Sequence, residues 1–139
     1  MRLLKLFVSA NLLFAILTGT AIGATKIEWW HAFSGRLGTL LAEQVEQFNA
    51  AQSEYEVVQT RKGNYSETLN AGIAAFRAKK HPHILMVFEV GTATMMAAKG
   101  AIKPMYQLMD EAGVEFNPEG FIGPVKGYYT TTSGEMLSM

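Results

Sequence analysis

The 139-residue chain contains no cysteine, and its 12 basic and 12 acidic side chains leave no surplus of charge. The absence of cysteine excludes a disulfide scaffold and a thiol nucleophile. A nucleic-acid binder needs a surplus of Lys and Arg on one face, and no basic run here is longer than two residues. We therefore expect a globular protein without a nucleic-acid partner.

The common catalytic and nucleotide-binding motifs are also absent. The chain has no GxGxxG, no P-loop, no GxSxG and no HExxH, so the usual signatures of dinucleotide enzymes, nucleotide hydrolases, serine hydrolases and zinc proteases are lacking. His81 and His83 flank a proline, and two histidines without a third ligand make a poor zinc site. Asp110 and Glu111 end a predicted helix, where we expect them to be solvated. The sequence predicts no enzymatic activity, no metal and no cofactor.

The N-terminal segment has the layout of a secretory signal. Arg2 and Lys5 carry the only charges before Lys26, and an apolar run follows them over 6–17. This run is shorter than the roughly 20 residues that a membrane-spanning helix needs. Export is therefore favoured over membrane insertion.

Residues 1–24 are predicted to be a signal peptide. Small side chains place its cleavage site after Ala24, with Ala21 and Gly23 as near alternatives. The competing interpretation is a buried N-terminal helix. The expected mature chain, 25–139, is mildly acidic and exported.

The rest of the chain alternates between strand and helix patterns. Aromatic and β-branched residues predict strands over 26–33, 54–59 and 84–88. Between them, apolar residues recur at helical spacing over 37–48 and 69–76. This order predicts an α/β fold with a doubly wound, mostly parallel sheet.

Several local features of this pattern can be predicted as well. Ser34 is suited to cap the first helix, and Thr92 a short helix after the third strand. The unbroken apolar run 84–88 is typical of a central parallel strand. We further predict a loop over 61–66, a helix over 104–112, turns over 116–127 and a hairpin from Tyr128 onward.

Two polar residues lie where such a sheet binds ligands, at the carboxyl ends of its strands. Tyr65 follows Gly63 and Asn64 in a predicted loop, where it is either a surface tyrosine or a hydroxyl that meets a ligand oxygen. Glu89 directly follows the third strand. Because an unpaired buried carboxylate is costly, Glu89 either caps the next turn or accepts hydrogen bonds from ligand hydroxyls.

The aromatic cluster at the end of the first strand permits two interpretations. Alternation along a strand turns Trp29 and His31 to one face of the sheet and Trp30 to the other. These side chains either pack in the core and at its edge or line a ligand cleft. The residues alone leave both interpretations open.

A family resemblance is carried by the segments Trp30-His31, Phe48-Asn49-Ala50, Lys62-Gly63-Asn64-Tyr65, Asn70 to Arg77, Phe88 to Met96, Ile102-Lys103-Pro104 and Gly127-Tyr128-Tyr129. In these segments the chain resembles the sn-glycerol-3-phosphate-binding periplasmic proteins of ABC importers, within the wider family of extracellular solute-binding proteins. Trp-His and Phe-Asn are common in the wider family, whereas 70–77 and 88–96 are much closer to the glycerol-3-phosphate group.

The resemblance implies a monomeric, two-lobed receptor that closes around its ligand and delivers it to permease subunits in the membrane. Its ligands would be sn-glycerol 3-phosphate and glycerophosphodiesters. The ligand-contacting tyrosine of the family falls on Tyr65 and its glutamate on Glu89. A carboxylate repels phosphate but accepts hydrogen bonds from hydroxyls, so Glu89 is expected to hold the glycerol end.

The length of the chain departs from the family, whose members run to several hundred residues. Residues 25–139 are therefore expected to be part of the N-terminal lobe of a periplasmic-binding-protein-like fold, in a fragment that lacks the second lobe. Two alternatives remain. One is a receptor of the same fold for an oligosaccharide, which the tryptophans favour, and the other is a fragment of an exported α/β enzyme.

Overall fold

The computed structural model describes residues 23–98, 100–115 and 117–138. The predicted signal peptide lies outside these residues except for its last two positions. Within the described part, none of the helices has the length and apolar character needed to cross a membrane.

A three-stranded parallel sheet forms the centre of the fold. Its strands are β1 (Thr25–His31), β2 (Tyr55–Arg61) and β3 (Ile84–Leu85), in the order β2-β1-β3. Two long helices, α1 (Gly35–Ala51) and α2 (Tyr65–Arg77), connect them. Right-handed crossovers that run in opposite directions leave their helices on opposite faces of a sheet. The predicted α/β fold with a parallel sheet is confirmed.

Helix α1 buries only part of its apolar face. Leu41 and Val45 are buried, whereas Leu37, Leu40 and Phe48 remain exposed. Ser34 lies at the predicted capping position with an extended backbone, but its hydroxyl makes no capping hydrogen bond. The expectation that Ser34 caps α1 is therefore right in position and wrong in mechanism.

The side chain of Asn49 ties the last turns of α1 to the outer edge of β2. Its Nδ2 donates to the carbonyl oxygen of Val57 at 3.0 Å, and the Val57 amide donates to its Oδ1 at 2.8 Å. An edge strand exposes such backbone groups unless something covers them. Asn49 thus takes the place of a neighbouring strand at this point.

Helix α2 begins earlier than predicted. Asn64 and Glu67 form a capping box, in which each side chain accepts the backbone amide of the other. This pairing satisfies amides that the first turn leaves without partners, so the helix begins at Tyr65. The prediction that Tyr65 lies in a loop is therefore wrong, since it is the first residue of α2.

Strand β3 differs most from its prediction. The run 84–88 is not a central strand, because β3 is confined to two residues and pairs only with β1 in the described part of the chain. The pairing reaches one step further, where the Met86 amide donates to the Trp30 carbonyl oxygen at 2.8 Å. Ile84 is 44% exposed at this edge. An apolar run predicts burial, but it cannot specify which strands lie on either side.

The remaining elements are short: a 3-10 turn at Glu89–Gly91, α3 (Thr92–Ala97), α4 (Met105–Glu111), a second 3-10 turn at Pro118–Gly120 and α5 (Gly123–Tyr128). The helix predicted over 104–112 is confirmed. Thr92 does not cap α3 but is its first residue, and its hydroxyl donates to the Phe88 carbonyl oxygen at 3.4 Å. Helix α5 overlaps the end of the predicted turns 116–127 and includes Tyr128, the first residue of the predicted hairpin, because Pro124 starts a helix as readily as it makes a turn.

Beyond α5, the described residues of the predicted hairpin form one antiparallel bridge, between Thr130 and Met136. A largely apolar, open cavity of about 1150 Å³ lies between α2, β3, α3, α4 and this bridge segment. Phe76, Leu85 and Leu108 are among its lining residues.

Candidate functional site

The carboxyl ends of the three strands meet at one edge of the sheet. β1 ends at His31, and the Lys62 amide after β2 donates to its carbonyl oxygen at 2.9 Å. The Thr68 hydroxyl of α2 donates to the same oxygen at 3.4 Å. These bonds hold the start of α2 against the end of β1, at the edge where parallel sheets bind ligands.

Tyr65 lies at this edge, where an aromatic contact and a helix cap hold it in place. Its ring stacks on that of Phe88, with centroids 5.4 Å apart and planes inclined by 21°. The capping box formed by Asn64 and Glu67 fixes the backbone beside it. Tyr65 is 43% exposed, so one side of the phenol is packed while the other faces solvent.

Glu89 is brought next to this aromatic pair because it directly follows Phe88. It is exposed and begins the 3-10 turn Glu89–Gly91. Its carbonyl oxygen accepts the Thr92 amide and, across 39 residues, the Tyr128 hydroxyl at 2.8 Å. Phe88 thus links both residues predicted from the sequence, because Tyr65 stacks on its ring and Glu89 follows it in the chain. Since β3 ends at Leu85, Glu89 does not directly follow the strand as predicted but lies beyond a short extension of it.

A shallow groove of about 230 Å³ opens beside Glu89. Its other lining residues are Pro124, Val125, Tyr128 and Tyr129. The surface of this groove is mainly aromatic and aliphatic, with Glu89 as its one acidic lining residue. Such a surface offers the C–H groups of a small polyol a contact beside an exposed acidic residue.

The aromatic cluster at the end of β1 divides between the core and the edge. His31 is only 4% exposed, with the Trp29 and Phe33 rings at 6.4 and 6.5 Å, and its Nδ1 has no hydrogen-bond partner among the described residues. Burial lowers the pKa of His31, aided by the charge of Arg61 and opposed by a hydrogen bond with Gln59. His31 is therefore a core residue that favours the neutral form.

Trp30 meets a charged neighbour on the other face of the sheet. The Lys62 ammonium lies 3.8 Å from the centre of its ring, within the range of a cation–π contact. One face of the indole is therefore already occupied, which leaves less of it to stack on a sugar.

The two histidines considered as metal ligands each have a ring nitrogen within hydrogen-bond distance of a backbone group. His83 Nδ1 accepts the Glu28 amide at 3.0 Å, and the His81 ring packs near Phe76 with centroids 5.7 Å apart. Among the described residues, no group of three or more His, Cys, Asp or Glu could hold a metal ion.

Sequence reasoning missed two residues of this site, Phe88 and Tyr128. The apolar run 84–88 predicts Phe88 as the end of a strand, and no pattern in the sequence gives Tyr128 a role. Their contacts with Tyr65 and Glu89 join positions 23 and 39 residues apart. The only sequence signal for Tyr128 was its place in the segment Gly127-Tyr128-Tyr129.

No family model matches the chain. Among curated proteins, it is 42% identical over 130 residues to the sn-glycerol-3-phosphate-binding periplasmic protein UgpB of Agrobacterium fabrum, a match covering 94% of this chain and 30% of that protein. The identity is 48% over 122 residues with the protein of the same name from Salmonella typhimurium, covering 87% of this chain and 28% of the relative. It is 46% over 139 residues with that of Escherichia coli K12, covering 99% and 32%.

The chain therefore spans about 30% of the length of the curated relatives it matches. The similarity covers both strand-edge segments that carry Tyr65 and Glu89, since the match to the Escherichia coli protein extends over nearly the whole chain. These matches confirm the resemblance noted in the sequence, and the chain is a homologue of the sn-glycerol-3-phosphate-binding periplasmic proteins.

Proposed function

We propose that this chain is part of the ligand-binding lobe of a periplasmic receptor for sn-glycerol 3-phosphate and glycerophosphodiesters, which it delivers to an ABC importer. The observation that carries the proposal is identity of 42–48% over 87–99% of the chain with proteins named for binding this ligand. A binding role fits a strand-edge site that offers hydrogen-bonding groups on a rigid support.

In this proposal Tyr65 and Glu89 make different hydrogen bonds to the ligand. The Glu89 carboxylate accepts hydrogen bonds from the glycerol hydroxyls, since it is exposed and would repel a phosphate. The Tyr65 hydroxyl donates to or accepts from either end of the ligand. Stacking on Phe88 reduces the rotamer freedom that the Tyr65 ring loses on binding.

The chain supplies only part of the contacts. In a receptor that closes two lobes over its ligand, the second lobe excludes water and completes the set of hydrogen bonds. We therefore expect the chain alone to bind its ligand weakly. The expected dissociation constant is about millimolar, which corresponds to a binding free energy of about −4 kcal/mol. The partners that follow from the proposal are the permease subunits of the importer, the receptor is a monomer, and residues 1–24 are its cleaved signal.

Titration of the isotope-labelled chain with sn-glycerol 3-phosphate, followed by NMR, tests the proposal. We expect millimolar ligand to shift the resonances of Tyr65, Phe88 and Glu89. Glu89→Gln removes the charged acceptor and should weaken binding by about tenfold or more, because hydrogen bonds to charged groups contribute about 1.5–3 kcal/mol. Tyr106→Phe is the matched control, since Tyr106 lies on the surface of α4.

Two outcomes would overturn the proposal. A response to maltose at the same residues, with none to glycerol 3-phosphate, would favour the oligosaccharide receptor. Release of inorganic phosphate or an alcohol from a glycerophosphodiester would make the chain part of an enzyme. Tight binding by the chain alone would contradict the expectation that the site is incomplete.

A further inference from the structure

The Glu89 turn is held at its backbone, while its carboxylate is free to face solvent. The carbonyl oxygen of Glu89 accepts two donors, the Thr92 amide and the Tyr128 hydroxyl. The preceding carbonyl, that of Phe88, accepts the Gly91 amide at 2.9 Å. The orientation of the Glu89 side chain therefore depends on where these backbone bonds hold the turn.

Tyr128 reaches the turn from a segment that is itself restrained. Tyr128 ends α5, and its ring meets that of Tyr129 edge to face, with centroids 5.0 Å apart. The Leu137 amide donates to the Tyr129 carbonyl oxygen at 2.9 Å. Lys126 of the same helix forms an ion pair of 2.6 Å with Glu119. These contacts therefore restrain the segment from which the Tyr128 hydroxyl reaches the turn.

The turn is thus held from two sides by aromatic residues. Tyr65 stacks on the ring of Phe88 at one side, and Tyr128 bonds the Glu89 carbonyl oxygen at 2.8 Å at the other. Tyr128 also lines the groove that opens at Glu89. Its hydrogen bond to Glu89 is made through the backbone, so this bond acts on the carboxylate by fixing the turn.

We propose that Tyr128 is a positioning residue that orients the Glu89 carboxylate for the ligand hydroxyls. This inference rests on the proposed function, in which Glu89 holds the glycerol end of the ligand. It adds a third residue to the site, one that acts through Glu89. A binding group held within about 0.5 Å of its working position loses affinity when such support is removed.

The first experiment requires no ligand. Amide hydrogen exchange is measured on the full chain, comparing the wild type with Tyr128→Phe, which keeps the ring and removes the hydroxyl. We expect exchange of the Thr92 amide to be about fivefold faster in the variant, because one hydrogen bond of the turn is lost. Tyr106→Phe should leave it unchanged.

The second experiment distinguishes positioning from general support. Affinity for sn-glycerol 3-phosphate is measured by NMR titration of the wild type, Tyr128→Phe, Glu89→Gln and the double variant. When Glu89 is present, Tyr128→Phe should weaken binding about three- to tenfold. When Glu89→Gln has already been made, adding Tyr128→Phe should weaken binding by little. Glu89→Gln keeps the backbone carbonyl, so a purely structural role of Tyr128 would weaken binding equally in both backgrounds.

The outcomes separate this inference from the proposed function. Unchanged Thr92 exchange in Tyr128→Phe overturns the inference, as does an equal loss of affinity in both backgrounds. A wild-type chain that shows no response to the ligand overturns the proposed function, and with it the binding role assigned to Tyr128. Faster exchange together with non-additive losses of affinity supports the inference.

Discussion

Asn49 and Val57 form a reciprocal pair in which one side chain satisfies both backbone groups of an edge residue. The two bonds measure 3.0 and 2.8 Å and join residues eight apart in the chain. An amide side chain has the donor and the acceptor that this position needs. The asparagine of the Phe-Asn pair is therefore explained by sheet architecture.

Replacing Asn49 by alanine should destabilise the chain. Asn49→Ala leaves the amide and the carbonyl oxygen of Val57 without a partner, which costs about 1–3 kcal/mol of the free energy of unfolding. Urea denaturation measures this loss. Gln47→Ala, on the exposed face of α1, is the control and should remain within about 0.5 kcal/mol of the wild type. Equal effects of the two variants would remove the edge-pairing role from Asn49.

A second prediction concerns the contact between α2 and β3. A Cβ added at Gly72 would lie 2.4 Å from Cδ2 of Leu85. Gly72→Ala should therefore destabilise the chain by about 1 kcal/mol, since overpacking of about 1–3 kcal/mol exceeds the helix gain of about 0.5–1 kcal/mol.

Truncation of the facing side chain checks the cause of that loss. In a Leu85→Ala background, Gly72→Ala should no longer destabilise the chain, because the clashing methyl group is absent. Thermal unfolding of the four proteins gives the coupling energy between the two positions. Additive effects would mean that α2 does not press on Leu85.

The third prediction is a pH dependence from His31. Burial lowers its pKa below the ordinary value of 6.5, so the unfolded chain binds this proton more readily than the folded chain does. The contribution of neutral His31 to the free energy of unfolding is therefore fully present above about pH 6.5. It is lost as the pH falls from there through the lowered pKa. The slope from this one group is at most about 1.4 kcal/mol per pH unit.

His31→Gln provides the comparison for this dependence. Glutamine does not titrate, so the free energy of unfolding should become flatter between pH 5 and 7 by about the contribution of His31. The variant lowers stability overall, and the measured quantity is therefore the slope with pH. A slope identical to that of the wild type would exclude His31 as the source.

The fourth prediction links the capping box to the candidate site. Asn64→Ala removes the acceptor for the Glu67 amide and should lower the free energy of unfolding by about 1 kcal/mol. Because Tyr65 is the next residue, its stacking on Phe88 should loosen, which NMR detects as a change in the ring-current shifts of both rings. Ser53→Ala, at an exposed position before β2, should leave those shifts unaltered.

The sequence predicts the individual strands and helices of this fold better than it predicts which elements lie next to one another. Strands β1 and β2 and the helices after them follow from apolar spacing. The choice of Tyr65 and Glu89 as site residues rests on their place after predicted strands together with the family resemblance. The edge position of β3 could not be predicted, because an apolar run is the same whether one or two strands flank it. The bond from Tyr128 to Glu89 was equally hidden, since it depends on where α5 packs and joins residues 39 apart.

The two edges of the sheet differ in their hazard of aggregation. Asn49 caps the outer edge of β2 at Val57, whereas β3 carries an exposed Ile84 and pairs with no strand on its outer side in the described part of the chain. Unpaired backbone groups beside apolar side chains recruit further strands. Of the two edges, we therefore expect β3, beside the apolar cavity, to be the one at which a further strand pairs.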